Sequence, residues 1–205
     1  MNLGNHGGIP FPIGAEVEAV EAIRFGFGDE IPFEIQTATS QVAEEQVELN
    51  TRTLLADTGF GQGRILASPL QMALTIAAVI NDGVLQGPRI GSEVLDEDGN
   101  VLERLEADSL GRVMTPETAE QMQRLLEASV AYGYANGAAI DGATIGGKTG
   151  TAELDDGGAH SWFVGYAEAG ERQWVVSVVV ERGGAGSAAA LPIGRAMLEA
   201  AVNGP

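Results

Sequence analysis

Gly146-Gly147-Lys148-Thr149-Gly150-Thr151-Ala152-Glu153 introduces three strand-like segments, and the rest of the chain is organised around it. Lys148 is the single lysine in 205 residues, set between glycines and hydroxyl residues ahead of a hydrophobic sheet. A long cationic side chain in that setting points to an anion held there rather than to surface solubility. Beyond it, His160 to Ala167 and Gln173 to Glu181 alternate as strands joined at Glu168-Ala169-Gly170-Glu171. Val175 to Val180 is apolar on both faces, which predicts a strand in the middle of the sheet, covered on each side. Ala188 to Val202 then reads as an apolar helix that closes the chain over one sheet face.

Upstream, the clearest helix starts at Ser68-Pro69-Leu70-Gln71, with Ser68 as N-cap, proline in the first turn and Gln71 completing a capping box. Its body, Met72 to Ile80, is apolar nearly all round and ends at Asn81-Asp82-Gly83, so it belongs in the core. Thr115-Pro116-Glu117 caps a second helix with Met122, Leu125, Leu126, Ser129 and Val130 on one face, and Tyr132 to Gly137 follows as a flexible loop. Arg89 to Leu95 and Val101 to Leu105 form a hairpin around Asp96-Glu97-Asp98-Gly99-Asn100. Ala15 to Ile23 is a loose helix stopped by Gly26 and Gly28, Leu49 to Ala56 a short one closed by Gly59, and residues 1–14 are irregular. Helices followed by a meander of strands and a last helix predict an α+β domain, an antiparallel sheet packed against helices.

The composition is that of one globular domain. Eleven basic against twenty-nine acidic residues leave a net charge of −18, which repels phosphate backbones and anionic lipid headgroups and excludes nucleic acid as a partner. With no cysteine, disulfides, thiolate catalysis and cysteine-based zinc sites are excluded. The first residues have neither a basic nor an apolar signal region, and no stretch is long enough to span a bilayer. If the protein works outside the membrane, something beyond this chain must take it there.

A Lys-Thr-Gly strand offers an ammonium, a hydroxyl and, at Gly150, a gap through which a ligand reaches the backbone. Those are the parts of a carboxylate-binding strand, and Thr151 adds a hydroxyl and an N–H that can face a developing oxyanion. Lys148-Thr149-Gly150 resembles the third motif of the penicillin-binding proteins and serine β-lactamases, whose signatures are S-x-x-K, S-x-N or S-D-N, and K-T-G. Gly59-Phe60-Gly61-Gln62-Gly63 with Ser68-Pro69-Leu70-Gln71-Met72-Ala73 is similar to the G-x-G-Q-G … T-P-L-Q-M-A run of the monofunctional transpeptidases. Lys148 to Glu153 with His160-Ser161-Trp162-Phe163-Val164-Gly165-Tyr166 resembles their K-T-G-T-A-E … H-A-W-F-V-G-Y pair, and Phe25-Gly26-Phe27-Gly28 with Ile31-Pro32-Phe33 a stretch they carry after the second motif.

The departure is equally clear. With one lysine, S-x-x-K occurs nowhere, and none of the eight serines is followed two residues on by asparagine. In the family these motifs precede the Phe25 region, so residues 15–205 are expected to be the C-terminal part of a transpeptidase domain, incomplete on its N-terminal side. The resemblance implies serine acyl transfer on the D-Ala–D-Ala end of a peptidoglycan stem peptide, trapped by β-lactams, outside the cytoplasmic membrane and without cofactor or metal. It implies that Lys148 and Thr149, beside Gly150, bind the terminal carboxylate and that Thr151 N–H donates to the oxyanion. Lacking the serine and its lysine, the chain alone is expected to be inactive, with the absent part of the domain or other cell-wall proteins as partners. Alternatives are a non-catalytic module that binds a stem peptide or partner, and a β-lactamase-like hydrolase, which the Gly-Gln-Gly and Trp-Phe-Val-Gly-Tyr stretches disfavour. A missing part should also leave apolar faces of the Pro69 to Ile80 helix uncovered.

Other residues read more plainly. His6 and His160 lie far apart and lack a carboxylate pattern for metal binding. Adjacent His160 and Ser161 on one strand point to opposite faces, so they are no nucleophile–base pair. Gly59 to Gly63 lacks a following Gly-Lys-Ser/Thr and reads as a turn rather than a phosphate loop. Asp155-Asp156 reads as a solvated loop, with calcium the alternative. Trp162, Phe163 and Tyr166 read as sheet packing, with one of them able to wall a cleft.

Overall fold

The structure, a computed structural model, describes residues 22–42 and 65–204. The expectations for residues 1–14, for most of the Ala15 to Ile23 helix, for Leu49 to Ala56, for Gly59 to Gly63 and for His6 lie outside the described residues. Helix α1 is Pro69–Ile80; Ser68 Oγ accepts the Gln71 N–H at 3.1 Å, the cap expected from the sequence. The reciprocal half of the capping box is absent. Gln71 turns its amide to the Phe25 carbonyl at 2.7 Å, and Ser40 Oγ accepts the Ser68 N–H at 2.9 Å instead. A helix end facing protein rather than water can take its cap from a distant residue, which sequence spacing does not reveal. The helix ends as expected: Gly83, at φ +80°, donates to Ala78 O at 2.8 Å.

Strand β1 (Val84–Gln86) pairs antiparallel with β4 (Ser109–Arg112), and β2 (Glu93–Leu95) with β3 (Val101–Arg104). The second pair is the hairpin expected around Asp96 to Asn100, shorter on its first side. Helix α2 (Pro116–Tyr132) is capped by Thr115 Oγ1, which accepts the Thr118 N–H at 3.2 Å. Its inner face differs from expectation: Ala119, Leu126 and Val130 are buried, while Leu125 is 64% and Met122 37% exposed. The stretch after it, expected as a loop, runs into a short element. Asn136–Ala138 forms a 3-10 turn, with Ala135 and Ala138 fully buried because their small side chains fit beneath the last helix.

Strands β5 (Thr144–Glu153), β6 (Ala159–Ala169) and β7 (Arg172–Val180) make a three-stranded antiparallel meander in the order β5-β6-β7, and helix α3 (Ala190–Asn203) follows. The central strand is therefore β6. Among the described residues β7, expected mid-sheet, lies at the edge: its two apolar faces report cover above and below, not a neighbour on each side. One sheet face, bearing Val164, Tyr166 and Val175, packs on Ile76, Val79 and Leu126 of α1 and α2. The other, bearing Phe163, Ala167, Val176 and Val178, packs on Ala190, Leu191 and Leu198 of α3. Helix α1 also contributes Leu74 and Ala78 to a third cluster with Leu85 and Val113, so it sits in the core as its composition predicts. From Leu70 to Ile80 no residue of α1 is fully exposed; open apolar helix surface falls instead on α2, at Met122 and Leu125, and on α3, at Ile193 and Met197.

Candidate functional site

The Lys148 cluster lies within β5, the outer strand of the meander. Its register with β6 sets the directions of the side chains. Lys148 opposes Val164 and Gly150 opposes Trp162 on the face toward α1 and α2; Thr149 opposes Phe163 and Thr151 opposes Ser161 on the face toward α3. Lys148 and Thr149 thus project from opposite faces of the strand. The place from which both reach one ligand is the outer edge of β5, where the backbone also presents donors and acceptors. Lys148 is exposed, and its ammonium donates to the Thr149 carbonyl at 2.7 Å, folded along its own strand.

The glycines divide by task. Gly146 and Gly147 make room for rings: a Cβ at Gly146 would lie 2.3 Å from Tyr166 Cε1, and one at Gly147 2.9 Å from Phe163 Cζ. On Gly150's own side the nearest atom is Trp162 Cβ, 3.2 Å from where a Cβ would stand. Behind Gly150 stands Gly186, so close that a Cβ there would come 2.4 Å from Gly150 O and 2.6 Å from Trp162 O. The Gly186 N–H donates to Thr151 Oγ1 at 3.3 Å. Fully buried Ser161 donates to Ala185 O at 2.9 Å and accepts the Ala190 N–H at 3.0 Å. The cross-strand pair Thr151–Ser161 therefore pins the loop before α3 against the back of the strand that carries Lys148. Sequence reasoning missed Gly186; the signal available was the glycine run Gly183-Gly184-Ala185-Gly186 directly after a strand.

The remaining residues fall as follows. Phe163 and Tyr166 are fully buried packing residues, and Trp162 is half-buried beside Gly150. Tyr166 donates to Glu127 Oε1 at 3.0 Å; burial first, then the Glu127 carboxylate, push its phenol well above the usual tyrosine range. His160 Nδ1 accepts the Arg182 N–H at 3.2 Å and lies on the face opposite Ser161, so no nucleophile–base pair forms. Asp156, in the β5–β6 turn, accepts from Arg182 at 2.7 Å, and this bond above all, with the Gly158 N–H, holds its carboxyl below the ordinary aspartate value. A cavity of about 320 Å³ among Phe25, Ile31, Gln71, Leu74 and Leu85 takes no residue from β5.

Comparison with known proteins gives this geometry its context. The chain matches the penicillin binding protein transpeptidase domain family over residues 19–199. Penicillin-binding protein 3 of Bacillus subtilis is 33% identical over 150 residues, which are 69% of this chain and 21% of that protein. The D,D-transpeptidase domain of an Eggerthella lenta peptidoglycan glycosyltransferase superposes with a TM-score of 0.79 at 29% identity, covering 94% of this chain and 49% of that one. Penicillin-binding protein A of M. tuberculosis, solved as its imipenem acyl-enzyme complex, superposes with a TM-score of 0.78 at 28% identity, covering 93% of this chain and 44% of that one. The chain thus spans about a fifth of the curated relative and about half of each solved domain. With the α+β fold shared at that level and the match running through both sheet and helices, the chain belongs to the penicillin-binding-protein transpeptidase family.

Proposed function

We propose that this chain supplies one wall of a D,D-transpeptidase site in which β5 holds the terminal carboxylate of a peptidoglycan stem peptide or of a β-lactam. The observation that carries the reading is Lys148 exposed on the outer strand, with Thr149 on the opposite face of the same edge, which has no strand partner among the described residues. The ammonium neutralises the carboxylate, the Thr149 hydroxyl donates to it, and Gly150 leaves the approach clear except for Trp162. In the reaction a serine oxygen attacks the D-Ala–D-Ala carbonyl, D-alanine leaves with its amine, and an amine of a second stem displaces the serine. Thr151 N–H stabilises the negative oxygen of the tetrahedral intermediate. The work belongs on the outer side of the cytoplasmic membrane, where the polymer is; no described helix is long and apolar enough to cross a membrane.

On this reading the single lysine, Lys148, is the carboxylate ligand, so these residues hold no lysine to activate an attacking serine. That same observation favours one second reading, a family member that binds stem peptides without cleaving them. Incubation with a fluorescent penicillin should leave the intact mass of the chain unchanged, since a site without its nucleophile loses several orders of magnitude in rate. Titrating a D-Ala-D-Ala dipeptide into the ¹⁵N-labelled chain should move the amide signals of Lys148 to Thr151, and Lys148→Ala should abolish the movement. A covalent adduct in the first measurement, or unmoved signals in the second, would refute the assignment.

A further inference from the structure

Packing accounts for two of the three aromatic residues expected to line β6, and not for the third. Phe163 and Tyr166 are fully buried, one in each of the apolar clusters on the two sides of the sheet. Trp162 is half-buried and, among the described residues, joins none of the three clusters. The chain's other tryptophan, Trp174, packs against the cluster on the α3 side. The register shows what Trp162 stands beside. It opposes Gly150 on β5 and Val179 on β7, on the face that carries Lys148. Lys148 opposes Val164, two residues along β6, so Lys148 and Trp162 are diagonal neighbours across the strand pair. Such neighbours stand about 7–8 Å apart, within reach of long and aromatic side chains. Between Trp162 and the outer edge of β5 lies Gly150, and a Cβ there would already come 3.2 Å from Trp162 Cβ. The next residue of β5 on this face, Ala152, is also small. Small residues at 150 and 152 leave the indole open toward the edge at which a carboxylate would be held.

We infer that Trp162 is a specificity-determining residue: its indole receives the side chain of the ligand residue that bears the carboxylate, and limits that side chain to the size of a methyl group. A ligand gripped at its carboxylate by Lys148 has one further group close to the strand, the substituent on the adjacent carbon. On this face that substituent meets an aromatic plane rather than water, which favours an apolar group. The indole is a firm wall, because it has two side-chain torsions and stands on the central strand between Gly150 and Val179. A methyl group rests against it, whereas a branched side chain needs space that the ring occupies. The inference rests on the reading that β5 holds the terminal carboxylate, and adds to it which residue can carry that carboxylate.

The test uses the full ¹⁵N-labelled chain and two probes, N-acetyl-D-Ala-D-Ala and N-acetyl-D-Ala-D-Leu, which differ only in the side chain beside the carboxylate. The two indole N–H signals are assigned with Trp174→Phe. Titration with the alanine dipeptide should move the Trp162 indole signal together with the Lys148 to Thr151 amides and leave the Trp174 signal in place. The leucine dipeptide should bind at least about ten-fold more weakly, the scale on which an apolar contact discriminates side chains of different size. Trp162→Ala should keep the amide movements and bring the two dipeptides close to equal affinity, and Trp162→Phe, the milder change, should keep part of the preference. Circular dichroism checks that each variant is folded, and the indole signal of the unsubstituted chain decides the question without any variant. A Trp162 signal that stays still while the amides move, or a preference that survives Trp162→Ala, would overturn the inference and leave the carboxylate strand standing. Amides unmoved by either dipeptide would refute the carboxylate reading itself and this inference with it.

Discussion

Gly186 is the residue on which the geometry of Lys148 to Thr151 depends most, although it lies in a loop 35 positions downstream of Thr151. The atoms that would meet a side chain there are backbone atoms of Gly150 and Trp162, which cannot swing aside as a side chain can. Gly186→Ala should destabilise the chain by about 1–3 kcal/mol, the range for forced overpacking, read from urea unfolding. It should also move the Gly150 and Thr151 amide signals more than those of Gly146 and Gly147; equal stability with unmoved signals would contradict this. Sequence identified Lys148 as the group to explain because it is alone of its kind, a property of the string. It assigned Gly150 to ligand approach and could not assign Gly146 or Gly147, because the reason for those two is the ring across the strand, which only pairing with Tyr166 and the packing of Phe163 supply.

The helix that closes the chain begins without a cap of its own. Its N-cap position is Ala189, which offers no side-chain acceptor, and Ser161 on β6 takes the Ala190 N–H instead. Ser161→Ala would strand that donor and the Ala185 carbonyl together in a buried place, at a cost of about 1–3 kcal/mol. Exchange at the first turn of α3 should quicken well before that at its Leu198 turn, and a uniform loss along the helix would contradict the capping role. Local signals told where elements lie when the signal was local: Ser68 and Thr115 cap the helices they precede, and the Asp96 to Asn100 turn closes its hairpin. They failed where an element answers to something remote. Gln71 serves Phe25 rather than its own helix end, and Leu125 faces solvent because α2 turns Ala119, Leu126 and Val130 inward. The strands β1 and β4, three and four residues long, have too few alternations to show any period.

At the scale of the molecule, −18 charges on 205 residues repel one another more in the folded state than in the extended chain. Raising sodium chloride from roughly 0.01 M to 1 M shortens the screening length from about 30 Å to about 3 Å and should raise the thermal midpoint by several degrees, followed by far-ultraviolet circular dichroism. A falling midpoint would mean that the exposed ion pairs Arg124–Glu120 and Arg182–Asp156 outweigh the repulsion. The fold class was legible because the order of elements, helices and then a meander, constrains the layers. The place of β7 was not, since a strand's two faces record what lies above and below it and say nothing of its edges.

The meander has a consequence in time. Strands β5 and β6 are joined by the short turn Leu154 to Gly158, and β6 and β7 by Gly170 and Glu171, so each pairing closes only a small loop. Helix α1 meets β6 and β7 only after most of the intervening chain has been brought back. Short closures form orders of magnitude faster than long ones. A stopped-flow refolding experiment should therefore find the sheet with Lys148 assembled before α1 settles onto it, although α1 leaves the ribosome first.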